Sequence, residues 1–82
     1  MPPLPEDERI YFDVAYMARD FAKLCHCGFD AERKLWFTGA LNANLHALVC
    51  AYDVHPATSK KAMTLLNKNV GKASVRVQGE GL

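Results

Sequence analysis

The sequence predicts a small α+β protein, with an antiparallel sheet and helices packed on one face, in the order β-α-β-β-α-α-β. Three observations support this class. The chain has 82 residues, enough for one domain with one modest core. Segments with alternating apolar residues, typical of half-buried strands, are interspersed with segments of helical spacing. Half of the residues are hydrophobic and 23% are charged, as in ordinary globular proteins.

The first predicted strand is RIYFDV, residues 9–14. Ile10, Phe12 and Val14 alternate with Tyr11 and Asp13, so the first three should point into the core.

A helix should follow from Tyr16 to about Cys27, because the apolar spacing changes to that of one helix face. Gly28 is expected to end it in the left-handed conformation, which other residues resist. The residues expected to face the core are Met17, Phe21, Leu24 and Cys25.

The stretch GFDAERKLWF, residues 28–37, predicts a β-hairpin. Gly28 and Phe29 begin one strand, residues 30–34 form the turn, and residues 35–37 return as the second strand. Asp30 suits the first turn position because its carboxylate can bond the backbone just ahead of it.

Two more helices and a strand are predicted in the second half. Thr38 can cap a helix from about Ala40 to Tyr52, whose inner stripe is Leu41, Leu45, Leu48 and Tyr52. Pro56 leads into a third helix, with Thr58 or Ser59 as the cap, Gly71 as the terminator, and Met63, Leu66 and Val70 facing inward. The final strand is ASVRV, residues 73–77, which alternates Val75 and Val77 against polar residues.

The expected organisation is a flexible lead at residues 1–8, one domain at 9–78 and a loose tail at 79–82. No apolar run approaches the roughly 18 residues that a membrane span needs, and the proline-rich, acidic N-terminus lacks the features of a signal peptide. Three cysteines, an odd number, argue against a secreted disulfide framework. We therefore expect a cytoplasmic protein without membrane contact.

The run VAYMARDFAKLCHCGFDAERKLWF, residues 14–37, resembles a small bacterial domain family of unassigned function. That family shows Val-Pro-Tyr or Val-Pro-Phe at a strand end, a helix with an Ala-Lys pair, Leu-Gly-Ala before Trp-Asp, and a charged turn leading to Lys-x-Trp-Tyr. The resemblance covers roughly residues 9–50. The matching residues here are Val14, Tyr16, Ala22, Lys23, Phe29, Asp30, Lys34, Trp36 and Phe37.

Three positions depart from the family pattern: Ala15 replaces Pro, Phe29 replaces Trp, and His26 replaces the Gly that ends the helix. Because a His in the left-handed region carries a steric cost, we expect Gly28 to have taken over that position. The resemblance implies a protein of a phage, plasmid or other mobile element, since the family occurs there beside primase and antirestriction modules. A weaker likeness of architecture, to the HARP domain of annealing helicases, concerns the fold alone.

The distribution of charge favours a binding role. Residues 54–79 contain five cations and no acid, whereas residues 1–30 contain six acids and three cations. Such a basic segment can neutralise phosphates, although a basic helix face chosen only for solubility is the alternative. The residues predicted to contact nucleic acid or a partner are Lys60, Lys61, Lys68, Lys72 and Arg76, extended at the hairpin tip by Arg33 and Lys34.

The aromatic residues of the hairpin have two interpretations. Phe29 and Trp36 on opposing strands could form a platform for unpaired bases, or both rings could anchor the hairpin to the first helix.

Cys25, Cys27, His46 and Cys50 form the one set of residue types that could bind zinc, with His46 and Cys50 one helical turn apart. The C-x-C spacing is unusual for zinc, and small apolar core residues are the alternative interpretation of the cysteines. We expect no metal and no cofactor.

Neither a nucleophile with its base nor a glycine-rich phosphate loop is present, so we expect no enzyme. The favoured function is a nucleic-acid-associated binding module of a mobile element or phage. The alternative is a small anti-defence inhibitor or adaptor that binds a host nucleic-acid-handling protein. The oligomeric state is open, and a sheet edge or the third helix could form a homodimer.

Overall fold

The computed structural model describes residues 4–71 and Val75, and its centre is a four-stranded antiparallel sheet in the order β2-β3-β1-β4. The α+β class is confirmed. The strands are β1 (Ile10–Asp13), β2 (Gly28–Asp30), β3 (Leu35–Thr38) and β4 (Asp53–Val54). The helices are α1 (Arg19–Leu24), α2 (Leu45–Ala51) and α3 (Lys60–Val70), and 3-10 turns lie at Glu6–Glu8 and Tyr16–Ala18.

The core forms on the face of β1 that carries Ile10 and Phe12, both fully buried as expected. Tyr11 points to the opposite face and is also buried, with only 1% of its surface exposed. Ile10 and Phe12 are covered by residues of all three helices and of β4, namely Ala22, Leu45, Leu48, Val49, Val54, Ala62 and Leu66.

Helix α1 is shorter than predicted, and it buries a different face. Ala22 and Cys25 are buried, whereas Met17 is 89% and Leu24 is 76% exposed. Phe21 is 40% exposed and lies beside the ring of Tyr52. The prediction that Met17, Phe21 and Leu24 face the core is therefore wrong. The side of the helix that carries Ala22 and Cys25 packs into the core, so the three larger residues are left toward solvent.

His26, and not Gly28, ends α1. Its φ is 63°, its N–H donates to the carbonyl of Lys23, and the N–H of Cys27 donates to the carbonyl of Ala22, which together form a Schellman motif. Gly28 is instead a strand residue opposite Phe37. A Cβ atom on Gly28 would lie 2.9 Å from Cζ of Phe37, so close packing explains the glycine.

The second predicted helix begins later than expected and gives way to a strand. Helix α2 starts at Leu45, and Leu41, which was predicted to be in the core, is 95% exposed. Thr38 is the last residue of β3 and not a helix cap. Asp53 and Val54, just beyond the predicted helix, form β4 against β1. Residues 40–52 thus form a loop followed by a shorter helix, although their apolar spacing is that of one continuous helix.

Helix α3 matches its prediction. The hydroxyl of Ser59 accepts a hydrogen bond from the N–H of Ala62, and Gly71 ends the helix with φ 83°. Leu66 is buried, while Met63 and Val70 pack partly against the core. The predicted strand at 73–77 lies outside the described residues except for Val75, which packs against the same core.

Residues 4–8, expected to be a flexible lead, contact the rest of the domain. The side chain of Leu4 reaches Gly39, and the backbone carbonyl of Asp7 accepts a hydrogen bond from the hydroxyl of Ser59. The 3-10 turn Glu6–Glu8, which we call the N-terminal turn, thus lies beside the start of α3. Within the described ranges, no helix has the length and apolarity to cross a membrane.

Candidate nucleic-acid interface

A cleft of about 460 Å³ opens between the start of α1 and the β2–β3 hairpin. Its walls combine aromatic rings with cationic side chains. We call it the aromatic cleft, and the residues that line it are Val14, Tyr16, Arg19, Lys23, Phe29, Lys34 and Trp36.

The sheet register places the aromatic wall. Phe12, Trp36 and Phe29 lie side by side across β1, β3 and β2, on the face that α1 covers. Their exposure rises along this row, from 0% for Phe12, through a half-buried Trp36 that packs against the core, to 51% for Phe29. Phe29 and Trp36 meet edge to face with ring centroids 5.3 Å apart. The row therefore anchors the hairpin at one end and exposes aromatic surface at the other.

Helix α1 and the turn before it supply the opposite wall. Arg19 and Lys23 are four residues apart and so lie on one side of the helix. The guanidinium carbon of Arg19 lies 3.8 Å from the ring centroid of Tyr16, and the guanidinium also donates to the carbonyl of Tyr16. Tyr16 is 74% exposed, so the cation covers one face of a ring that is otherwise largely in solvent.

Lys34 closes the cleft at the hairpin. It is the last residue of the turn and has φ 56°, in the left-handed region. Among the residues that the structure describes, neither Lys23 nor Lys34 forms an ion pair, and no acid is found among the residues that line the cleft. Their ammonium groups are consequently available to an anionic ligand.

The other side of the hairpin arranges its charges differently. One carboxylate oxygen of Asp30 accepts from the hydroxyl of Tyr11 at 2.8 Å and pairs with Arg9 at 3.2 Å and Arg33 at 3.3 Å. The second oxygen accepts from the backbone N–H groups of Glu32 and Arg33, as predicted for a turn aspartate. We call Arg9, Tyr11, Asp30 and Arg33 the Asp30 cluster.

Hydrogen bonding dominates the electrostatics of this cluster. The backbone N–H of Arg33 and then the hydroxyl of Tyr11 stabilise the charged carboxylate, and they hold the pKa of Asp30 below its ordinary value of 3.8. Arg33 also pairs with Glu6 of the N-terminal turn and lies over the ring of Tyr11. Arg33 was expected to be free at the hairpin tip. The structure instead pairs it with two carboxylates.

The lysines of α3 fall into two groups. Lys61 lies 3.5 Å from Asp7 and 3.9 Å from Glu8, so it forms exposed ion pairs with the N-terminal turn. Lys60 and Lys68 are exposed, and no ion pair joins them to other described residues. Lys72 and Arg76, the other two predicted contacts, lie outside the described residues.

The four candidate zinc ligands are not brought together. Cys25 is in the core, whereas His46 and Cys50 are on the exposed side of α2, with Nδ1 and Sγ 3.8 Å apart. Burial raises the pKa of the Cys27 thiol to about 11, which disfavours the thiolate that zinc needs. The described part of the chain contains no group of three or more His, Cys, Asp or Glu side chains that could hold a metal, and all three cysteines lie in it without a disulfide.

Comparison with known proteins found no matching family model, no matching curated protein and no matching solved structure. The resemblance to the bacterial domain family therefore stays a prediction.

Three residues of the cleft, Tyr16, Arg19 and Lys23, are not among the predicted contact residues. They lie in the half of the chain where acids outnumber cations, so net charge gave no reason to choose them. A signal was present in the resemblance, because every lining residue except Arg19 is a position on which it rests. Six positions of that pattern, which span 23 residues of sequence from Val14 to Trp36, meet in one cleft, whereas Ala22, Asp30 and Phe37 do not line it.

Proposed function

We propose that this protein is a nucleic-acid-binding module and that the aromatic cleft is its contact surface. The observation that carries the proposal is the composition of the lining: the described residues supply three aromatic rings and three cations, and no acidic side chain is among them. Cations neutralise phosphates and release counterions, while ring faces accept bases. Lys60 and Lys68 would add charge at long range, which speeds the approach of a polyanion.

The test is the salt dependence of oligonucleotide binding, measured by fluorescence anisotropy. The double variant Lys23→Glu and Lys34→Glu should bind more weakly at every salt concentration. It should also lower the slope of log affinity against log salt by about 0.7–0.9 for each phosphate that the protein no longer neutralises. Both side chains are exposed, so folding should be unaffected.

The matched control is the double variant Lys60→Glu and Lys68→Glu, which makes the same change of charge on α3, outside the cleft. We expect a smaller loss of affinity than for the double variant of the cleft. An equal or larger loss would locate the contact on α3, as charge counting alone had suggested. If the unmodified protein fails to bind any oligonucleotide at low salt, the proposal is wrong.

A second function, binding to a host protein, is favoured by the apolar residues that α1 and the turn before it expose. Met17, Phe21 and Leu24 lie one helical turn apart in succession and are 89%, 40% and 76% exposed. Capture from lysate after nuclease treatment separates the two functions, since a protein partner survives nuclease and a nucleic-acid bridge does not. The attribution to a phage or plasmid is proposed on the resemblance alone.

A further inference from the structure

We infer that the ligand of the aromatic cleft is an unpaired nucleotide segment, held by stacking of its bases on Tyr16 and Phe29. This inference rests on the proposed function and specifies its substrate class. It starts from the exposure of the rings, because Tyr16 is 74% and Phe29 is 51% exposed in a protein that buries its other aromatic side chains more deeply. Large exposed aromatic rings on facing walls of one cleft are typical of single-strand binding surfaces.

Each ring has surface left for a base. Arg19 occupies one face of Tyr16, and the opposite face carries no aromatic or cationic contact among the described residues. Phe29 and Trp36 meet edge to face, so their mutual contact uses the face of only one ring. Arg19 and Tyr16 together form a cation–π pair, which places positive charge beside the stacking surface where a sugar–phosphate backbone would pass.

The position of the rings disfavours a duplex. They line a cleft between two elements, whereas the bases of a duplex are stacked on one another and present only their edges. A duplex could therefore meet Arg19, Lys23 and Lys34 through its phosphates without reaching the rings. With three cations contacting a single strand, the slope of log affinity against log salt should be about −2.

The experiment compares three probes of equal length: a single-stranded oligonucleotide, its duplex, and an abasic single strand that keeps every phosphate. We expect the single strand to bind more tightly than either of the others by about 25-fold or more, since each of the two stacked bases contributes roughly fivefold or more. Trp36 is the one tryptophan of the chain, so its fluorescence reports on the cleft directly. The single strand should quench that fluorescence, and the abasic strand should leave it largely unchanged.

The variants Tyr16→Leu and Phe29→Leu should each reduce the affinity for the single strand by about fivefold or more and leave the affinity for the abasic strand unchanged. Leu41→Ala is the matched apolar control, because Leu41 is 95% exposed and lies outside the cleft. Phe29→Tyr, which keeps a stacking ring, should retain binding and guards against a folding defect in the leucine variant.

Two outcomes would overturn the inference while leaving the proposed function intact. One is equal affinity for the abasic and the normal single strand, and the other is a duplex bound as tightly as the single strand. Failure of all three probes to bind at low salt would instead remove the proposed function itself.

Discussion

The two sides of the β2–β3 hairpin use cations in opposite ways. On one side, Arg9 and Arg33 both form ion pairs with the carboxylate of Asp30, within the protein. On the other side, Lys23 and Lys34 line a cleft in which the structure describes no acidic lining residue. Arg33 and Lys34 are neighbours in the chain, yet they belong to different sides. The comparison teaches that the number of cations in a segment does not determine how many can meet a ligand.

The largest expected effect on stability is that of Asp30→Ala. It removes the acceptor of five hydrogen bonds and leaves Arg9 and Arg33 without their common partner. In urea denaturation its midpoint should be the lowest of all the single variants. Glu32→Ala is the control, since Glu32 is exposed and only its backbone joins the cluster.

Asp30→Ala also tests whether the Asp30 cluster takes part in oligonucleotide binding. Once Asp30 is gone, Arg9 loses its carboxylate partner and Arg33 keeps only Glu6, so the positive charge beside the hairpin increases and oligonucleotide affinity should hold or rise in the folded fraction. A fall in affinity would mean that the Asp30 cluster contributes to the binding surface.

The pH dependence of stability follows from the same carboxylate. Since folding lowers the pKa of Asp30, the unfolded chain binds its proton more tightly. The stabilisation is thus complete above the unfolded pKa of about 4 and is lost as pH falls through the lower folded value. Thermal denaturation from about pH 6 down to about pH 2 should show a decline in stability below about pH 4, and Asp30→Asn should weaken that decline.

A smaller effect is expected from Gly28→Ala on the Asp30 side. The added Cβ would meet the tip of the Phe37 ring, and overpacking of this kind costs about 1–3 kcal/mol of unfolding free energy. Phe37→Leu removes the obstructing ring, so the double variant should be more stable than the sum of the single losses predicts. Additive losses in this double-mutant cycle would show that packing against Phe37 is not the reason for the glycine.

The smallest effect comes from the left-handed residues. His26→Gly should raise the unfolding free energy by about 0.5–1 kcal/mol, because glycine adopts positive φ without steric cost. Lys34→Gly should give a similar gain and at the same time weaken oligonucleotide binding, since Lys34 lines the cleft and His26 does not. Denaturation of the two variants measures the gain in stability from relief of backbone strain, and anisotropy measures the loss of binding from removal of the cation. His26→Ala keeps the backbone strain and should show no gain in stability.

The sequence by itself determined the features that depend on neighbouring residues. Alternation predicted β1, the Asp30 turn predicted the hairpin, and Ser59 with Gly71 predicted the ends of α3. The Asp30 turn and the ends of α3 rely on hydrogen bonds within a few residues. The alternation that predicted β1 is likewise a local pattern, although β3 and β4, with which it pairs, are distant in sequence.

Only the tertiary structure decided which side of α1 is buried and with which strand Asp53 and Val54 pair. It also decided which cations are free of ion pairs with the protein's own acids. By its apolar spacing, the stripe Met17, Phe21 and Leu24 was as suitable for a core as the side that carries Ala22. In the structure, the side with the smaller residue is the buried one. Besides its neighbour Asp30, Arg33 pairs with Glu6, and Lys61 pairs with Asp7 and Glu8; these last three acids are far away in sequence. Electrostatic pairing depends on distance in space, which no spacing along the chain expresses.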